Sequence, residues 1–121
     1  MDFEHTIVDE MSGRAIRAVV TTAGPDTVVV VTGGSDPHVG SVVLAQPAGP
    51  GRSGVTTSVL TLPPHREEAI ARPIAEALCR LTGGAVVVTA GIHEDGLDRN
   101  GIETYLELAR RLADELAERI Q

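Results

Sequence analysis

Two runs of valine, at residues 28–31 and 86–88, constrain the fold more than any other feature of this sequence. Successive side chains of a β-strand point to opposite faces, so a strand made of valine is apolar on both faces. Such strands are typical of the middle of a sheet that is covered on both sides. Aromatic residues make up only 2% of the chain, so the core must consist of Val, Leu, Ile and Ala.

Short apolar or β-branched segments, separated by turn residues, predict six strands. The sixth segment is almost entirely apolar and follows a helix-like segment. We therefore expect it to lie deep in the sheet, joined to the fifth strand by a right-handed parallel crossover. The predicted strands are residues 3–9, 14–22, 27–32, 41–46, 55–62 and 85–90.

The first helix-like segment, residues 65–82, has its apolar residues near one stripe. It follows Pro63 and Pro64, and Gly83 supplies a C-terminal stop. Pro73 interrupts the segment. We expect a kink there rather than a split into two helices.

The second helix-like segment extends to residue 120. Asn100 and Glu103 have the spacing of a capping box at its start, and Asp98 is the alternative cap. Its apolar stripe at helical spacing comprises Ile102, Tyr105, Leu106, Ala109, Leu112, Ala113, Leu116 and Ile120.

These elements predict an α+β fold in a single domain spanning residues 1–121, which is the domain count that this length allows. We expect about six strands in a mixed, mostly antiparallel sheet, with two helices packed on one face. Two helices leave the other face uncovered, whereas the valine runs are apolar on both. A homo-oligomer, in which a second subunit covers that face, is therefore expected.

The charged residues exclude several classes of function. Seventeen acids against ten bases give a net charge of −7, and all ten bases are arginine. We expect no nucleic-acid partner, and chemistry that needs a lysine amine is excluded.

Cys79 is the single cysteine, which excludes an internal disulfide and a cysteine-based zinc cage. Its neighbours Leu78 and Leu81 predict a buried thiol.

The N-terminal ten residues carry acids where a secretory signal carries bases. The uncharged stretches are broken by Pro, Gly and Ser or Thr, and none supplies the roughly 20 apolar residues of a membrane helix. A cytoplasmic protein without membrane association is expected.

Three polar loops are candidates for a binding site. The first, residues 33–40, follows a valine strand, and adjacent glycines let the backbone approach a ligand or present N–H groups to an anion. An ordinary connection between strands explains the same glycines. The candidate residues of this loop are Gly33, Gly34, Ser35, Asp36 and His38.

The second loop follows the sixth strand and contributes Gly91, His93 and Asp95, placed where ligands lie in sheets with crossover helices. These side chains are suited to a metal, to the polar edge of a flavin or to proton transfer, and equally to local capping with solvated acids. The third loop, with His65 and Arg66, opens the first helix, where free N–H groups and the helix dipole attract phosphate.

These residues do not form a known catalytic arrangement, so an enzyme is not the preferred hypothesis for the function. Ser35, Asp36 and His38 lie too close together in one turn for a triad. A metal site from His38, His93 and one carboxylate, serving a small hydrolase or lyase, stays open as an alternative, although no H-x-H or H-x-x-x-H spacing supports it.

Three segments taken together resemble one known family. TGGSDPHVG at residues 32–40, LPPHREE at 62–68 and VVTAGIHED at 87–95 are similar, in order and spacing, to the prenylated flavin chaperone (LpdD-like) family. The members of that family accompany flavin-dependent aromatic-acid decarboxylases. The resemblance covers nearly the whole domain.

The resemblance implies a non-catalytic protein that holds prenylated FMN, or FMN, and passes it to a prenylated-FMN-dependent decarboxylase apoenzyme. It also implies that the cofactor-binding loops are those named above. A purely structural subunit of the decarboxylase, whose loops form an interface, is the remaining alternative. The implied binding residues are Gly33, Gly34, Asp36, His38, Gly91, His93 and Asp95, with His65 and Arg66 as additions.

Overall fold

Six strands and two helices make up the computed structural model, which describes residues 2–62 and 67–120. Each predicted strand is present, with bounds shifted by at most three residues at either end. The elements are β1 (Phe3–Val8), β2 (Ala15–Ala23), β3 (Asp26–Gly34), β4 (Ser41–Pro47), β5 (Val55–Thr61), α1 (Glu68–Thr82), β6 (Val86–His93) and α2 (Arg99–Ile120).

The strands form one mixed sheet in the order β1-β2-β3-β6-β4-β5. Strand β6 is inserted between β3, to which it is parallel, and β4, to which it is antiparallel; the remaining neighbours are antiparallel. The mixed, mostly antiparallel α+β sheet and the central place of β6 are thereby confirmed. The fifth and sixth strands run in the same direction but are not neighbours, because β4 pairs with both of them.

One face of the sheet carries the core. Alternate residues of the strands point to this face and are completely or almost completely buried, and both helices pack against them. The prediction of two helices on one face is confirmed. The largest fully buried side chains of this core are Ile16, Ile74, Leu78, Leu108, Leu112, Leu116, Val20, Val29, Val31, Val43, Val86 and Val88.

Helix α1 is continuous through Pro73, so it is not split in two. Pro73 is exposed and lies early in the helix, where loss of one backbone N–H interrupts only one hydrogen bond. The helix ends at Gly83, whose φ of 74° and N–H bond to the carbonyl of Cys79 form a left-handed cap, as predicted. Cys79 is buried, and burial raises the pKa of its thiol.

Helix α2 begins at Arg99, one residue before Asn100, which the sequence favoured as its cap. Asp98, not Asn100, caps it: the Asp98 carboxylate accepts the Gly101 N–H at 2.8 Å. The predicted apolar stripe wrongly included Ile102, which is 49% exposed, and omitted Leu108, which is buried. Both differences follow from where the helix lies on the sheet, which periodicity alone does not determine.

The opposite face of the sheet, here called the open face, has an apolar centre. Within the described residues neither helix packs on it. Val30 is 38% and Leu60 69% exposed there, and the other apolar side chains are half-buried by their neighbours. The apolar residues at the centre of the open face are Val19, Val28, Val30, Val42, Leu44, Leu60 and Val87. Among the described helices, none is both long and apolar enough to cross a membrane.

Replacement of Leu78 by Ala tests the packing of α1 on the sheet. Leu78 is fully buried, so truncation should leave a cavity and lower the free energy of unfolding by about 2–5 kcal/mol. Leu81→Ala on the same helix, at a position 38% exposed, is the matched control and should cost less than about 1 kcal/mol. Urea denaturation followed by circular dichroism measures both; equal losses would contradict this packing.

Candidate functional site

The first two candidate loops meet at one edge of the sheet. Because β3 and β6 are parallel, their carboxyl ends lie side by side, with Gly34 opposite His93. The Ser35 N–H donates to the His93 carbonyl at 2.8 Å and continues this pairing beyond the strands. Both loops therefore border one surface, as ligand-binding loops do in sheets with crossover connections.

The glycines of these loops have a packing role. A Cβ on Gly91 would overlap the carbonyl oxygen of His38, and one on Gly34 would overlap that of His93. Gly34 also has a φ of 75°, a left-handed conformation that favours glycine. The structure thus explains both residues by close approach of two backbones. They bring the loops together and need no ligand to account for them.

His38 is held by its own loop and by helix α1. Its Nδ1 lies 2.9 Å from the Asp36 carbonyl oxygen, and its Nε2 lies 3.0 Å from Oε1 of Glu67. A carbonyl only accepts, so Nδ1 donates to it, and the second contact then needs a proton on Nε2 or on the Glu67 carboxyl. The same Glu67 Oε1 accepts the Ile92 N–H at 3.3 Å. This pair connects the first loop, β6 and the start of α1.

His93 is the last residue of β6 and is not among the residues that line the two cavities described below. Its Nε2 is 2.8 Å from Oδ1 of Asp95, and the two side chains are 47% and 95% exposed. The imidazoles of His38 and His93 therefore belong to two separate local pairs, although their loops adjoin. Ser35 and Asp36 are also exposed. His65 and Arg66 lie outside the described residues.

A cluster that the sequence analysis missed lies beside these loops. Arg14 immediately precedes β2 and donates two hydrogen bonds to the Glu94 carboxylate. Its Nε lies 3.0 Å from Oε1, and its Nη2 lies 2.9 Å from Oε2. The Tyr105 hydroxyl donates to Glu94 Oε1 at 2.7 Å. These contacts tie the first turn of the sheet, the second loop and α2 together. The sequence feature that could have indicated this cluster is Tyr105, a single aromatic residue on the inner face of α2.

The cluster shifts the pKa values of its members. The hydrogen bonds from Arg14 and Tyr105 lower the pKa of Glu94. Burial, followed by the bond to Glu94, raises the pKa of Tyr105 to about 12. The interactions of the Glu94 carboxylate therefore stabilise the folded state at pH values above the ordinary pKa of a glutamate. This stabilisation is lost when acid protonates Glu94. Tyr105 adds stability below its ordinary pKa of 10, and that stability is lost as the pH rises through about 12.

Two cavities open on either side of Tyr105. The polar cavity, of about 570 Å³, is lined by Ser12, Gly13, Arg14, Ala15, Gly34, Ser35, Glu94 and Tyr105. The apolar cavity, of about 330 Å³, is lined by Glu67, Ala69, Ile70, Ile92, Leu97, Ile102, Tyr105 and Leu106. Both volumes fall within the range of small-molecule sites.

The metal-dependent alternative receives no support from the arrangement of side chains. Within residues 2–62 and 67–120, no group of three or more His, Cys, Asp and Glu side chains is placed to hold a metal ion. His38 is paired with Glu67, and His93 with Asp95, in separate places.

A solved structure shares the fold of this protein. A chain of a novel chaperone complex for yeast 20S proteasome assembly superposes on this structure with a TM-score of 0.63 at 12% identity, covering 100% of this chain and 98% of that one. The two chains thus share one α+β fold.

Comparison of sequences defines the family. The prenylated flavin chaperone LpdD-like domain matches residues 10–121, and the chain belongs to this family, as the three loop segments indicated. The Protein LpdD of Lactiplantibacillus plantarum is 26% identical over 120 residues, covering 95% of this chain and 81% of that relative. Membership in this family supports a chaperone role.

Titration of Tyr105 tests the cluster. It is the only tyrosine and the chain has no tryptophan, so tyrosinate absorbance near 295 nm reports this group alone. The folded protein should titrate with a midpoint near pH 12. Glu94→Gln removes the carboxylate that opposes the phenolate and should lower the midpoint, whereas Glu103→Gln, an exposed control on α2, should not. A wild-type midpoint near 10 in protein that is folded by circular dichroism would contradict the cluster.

Proposed function

We propose that this protein binds prenylated FMN, or FMN, at the carboxyl edge of β3 and β6 and delivers it to a prenylated-FMN-dependent decarboxylase apoenzyme without turning over substrate. Membership in the prenylated flavin chaperone family supports the ligand class. The observation that carries the proposal is the adjoining pair of cavities of opposite polarity, separated by Tyr105. A flavin mononucleotide has a matching division between a largely apolar ring system and a polar, phosphorylated tail.

The residues at this edge fit the parts of such a ligand. Arg14 donates to Glu94 through Nε and Nη2, and within residues 2–62 and 67–120 no contact to Nη1 is present, so the N–H groups of Nη1 are the donors that we assign to a phosphate. The hydroxyl of Ser35 and the backbone near Gly34 supply further polar groups on the wall of the polar cavity. Tyr105 is the aromatic side chain that both cavities share, and aliphatic side chains supply the remaining ring contacts.

In this proposal, exposed side chains outside the two cavities contact the polar edge of the flavin ring system. His93 and Asp95 project from the second loop, and Asp36 from the first, all outside the packed interior. His65 and Arg66 lie outside the described residues, and the family resemblance alone proposes them as phosphate ligands. The bound cofactor supplies decarboxylation chemistry in the recipient enzyme, and the residues of this chain hold it and exclude water until then.

The open face supports self-association as part of the proposal. Its apolar centre runs across five strands, through Val19, Val30, Val42 and Leu60, and a second subunit that covers it removes that surface from water. We propose that the protein is a homo-oligomer through this face. The site edge and the open face involve different residues, so association leaves the cavities accessible to the ligand.

Binding of flavin tests the proposal. Titration with FMN or prenylated FMN under anaerobic conditions should change the absorbance or fluorescence of the flavin, and riboflavin, which lacks the phosphate, should bind more weakly. His93→Ala removes a polar contact and should weaken binding about tenfold. His5→Ala is the matched control, because His5 pairs with Glu115 near the other end of α2.

Absence of any spectral change with both cofactors would reject the carrier function. Recovery of a stable complex with a decarboxylase subunit in the complete absence of flavin, combined with that negative result, would instead favour the purely structural subunit. Binding that His93→Ala and His5→Ala weaken equally would remove His93 from the site.

Light scattering tests the homo-oligomer. At micromolar concentration the mass should be at least twice the 12.6 kDa of one chain. Val30→Asp places a charge in the centre of the open face and should shift the protein to monomer, because burying an unpaired charge is costly. Leu81→Asp, also at 38% exposure but on α1 on the other side of the sheet, is the control and should leave the mass unchanged. A monomeric wild-type protein would contradict this part of the proposal.

A further inference from the structure

The two edge strands of the sheet differ in how they are protected. Strand β1 carries Glu4 and His5, and α2 contacts it with charged side chains. Arg119 donates to the Glu4 carbonyl at 2.9 Å, and Oε1 of Glu115 lies 2.7 Å from Nε2 of His5. Charged side chains and a covering helix are means by which proteins keep an edge strand from pairing with another chain. Strand β1 is therefore a protected edge.

Strand β5, at the other side of the sheet, lacks this protection. Its sequence, VTTSVLT at Val55–Thr61, contains no charged residue, no proline and no glycine. It pairs with β4 over seven consecutive residues, and among the described strands β4 is its one neighbour. Leu60 of this strand is 69% exposed. A regular, uncharged edge of this length is a template for a further strand.

The composition of β5 suits a second copy of itself. Identical strands that pair antiparallel about a two-fold axis bring one sequence opposite itself, and like charges that face each other are destabilising. Strand β5 carries no charge that could do so. An axis through Ser58 sets Thr57 opposite Val59 of the second copy. It also sets Thr56 opposite Leu60 of the second copy, which gives the exposed leucine a cross-strand neighbour.

Helix α1 supplies an independent observation. Four charged residues recur at every fourth position and therefore lie on one side of the helix, here called the charged stripe: Glu68, Arg72, Glu76 and Arg80. Acid and base alternate along it, and each acid pairs with the base one turn later. The charged stripe is turned towards β5, because the Thr57 hydroxyl donates to the Glu76 carboxylate at 2.6 Å.

The axis through Ser58 also fixes the position of the charged stripe. Helix α1 follows β5 and runs back over it, and Glu76 lies beside Thr57. The step along the strand from Thr57 to Ser58 is about 3.4 Å, which equals about two residues of a helix. The axis is therefore level with Ile74, in the middle of the charged stripe.

Rotation about this axis makes the charged stripe complementary to its copy. The two α1 helices lie antiparallel, so Arg72 faces Glu76 of the second copy. Glu68 likewise faces Arg80 of the second copy. Each acid thus meets a base, and complementary charges of this kind fix the register of an interface.

We propose that β5 is an interface for a second copy of this chain, in which the two β5 strands pair antiparallel about an axis at Ser58 and the charged stripes of the two α1 helices face each other. The two six-stranded sheets then form one continuous sheet. Because the paired strands are antiparallel, the site edges of the two copies face in opposite directions, and both stay accessible to ligand.

The size of this contact places it beside the open-face association. One strand and one side of a helix are fewer than the roughly 20–30 residues per partner of a stable interface. The β5 pairing therefore rests on the proposed function for its stability, since it joins subunits that the open face already associates. Two such two-fold interfaces close into a tetramer, so light scattering should give about four times the 12.6 kDa of one chain.

Disulfide trapping tests the register of the β5 pair. Ser58 lies opposite its own copy at a Cα–Cα distance of about 4.5–5.5 Å, which a disulfide spans. Ser58→Cys should therefore form a covalent dimer under mild oxidation, seen on a non-reducing gel. Thr56→Cys, exposed on the same face of β5, is the matched control, because about 14 Å separate it from its copy. The native Cys79 is buried, so the wild-type protein should not cross-link.

Charge reversal tests the charged stripe in the Ser58→Cys background. Arg72→Glu places an acid opposite Glu76 of the second copy and should lower the yield of covalent dimer about fivefold. Glu76→Arg added to Arg72→Glu restores opposite charges at both places and should recover the yield. An unchanged yield with Arg72→Glu would overturn the facing of the two stripes.

Failure of this inference is distinguishable from failure of the proposed function. Cross-linking of Ser58→Cys no greater than that of Thr56→Cys, with a wild-type mass of two chains, would overturn the β5 pairing while the open-face association stands. A monomeric wild-type protein in which Ser58→Cys also fails to cross-link would overturn both interfaces. Flavin binding is measured separately, and its result leaves the β5 pairing unaffected.

Discussion

The parallel pairing of β3 with β6 is the interaction on which the rest of the structure depends. It places the carboxyl ends of two valine strands side by side, so the loops that follow them share one edge of the sheet. Gly34 and Gly91 permit the close approach of those loops, since a Cβ on either would overlap the neighbouring backbone. The same edge receives the start of both helices. The cavities lie where these elements meet.

A second constraint is the polar cluster that fixes the walls of the cavities. Arg14, Glu94 and Tyr105 join the start of β2, the loop after β6 and α2, and each of them lines the polar cavity. In a core built from small aliphatic side chains, this ion pair and its phenol supply directional contacts. Glu67 and His38 make the equivalent connection on the side of α1. Both clusters stabilise the edge at which we place the ligand.

The sequence predicts the elements well because hydrophobic periodicity and turn residues are local properties. It also indicates the shared edge of the first two loops, since polar loops after apolar strands converge in such sheets. Strand order is not local: β4 separates β5 from β6, and no spacing shows this. Arg14 and Glu94 are 80 residues apart, so their ion pair has no sequence signature. Asn100 and Asp98 compete for the helix cap within one turn, and only backbone geometry decides between them.

The central claim is that one edge of the sheet, bordered by the loops after β3 and β6, holds the flavin. A crystal structure of the protein grown with prenylated FMN tests it most directly. The account predicts electron density for the cofactor at that edge, with its ring system in the apolar cavity and its phosphate towards Arg14. Density for the cofactor on the open face, or at the opposite edge of the sheet, would contradict it.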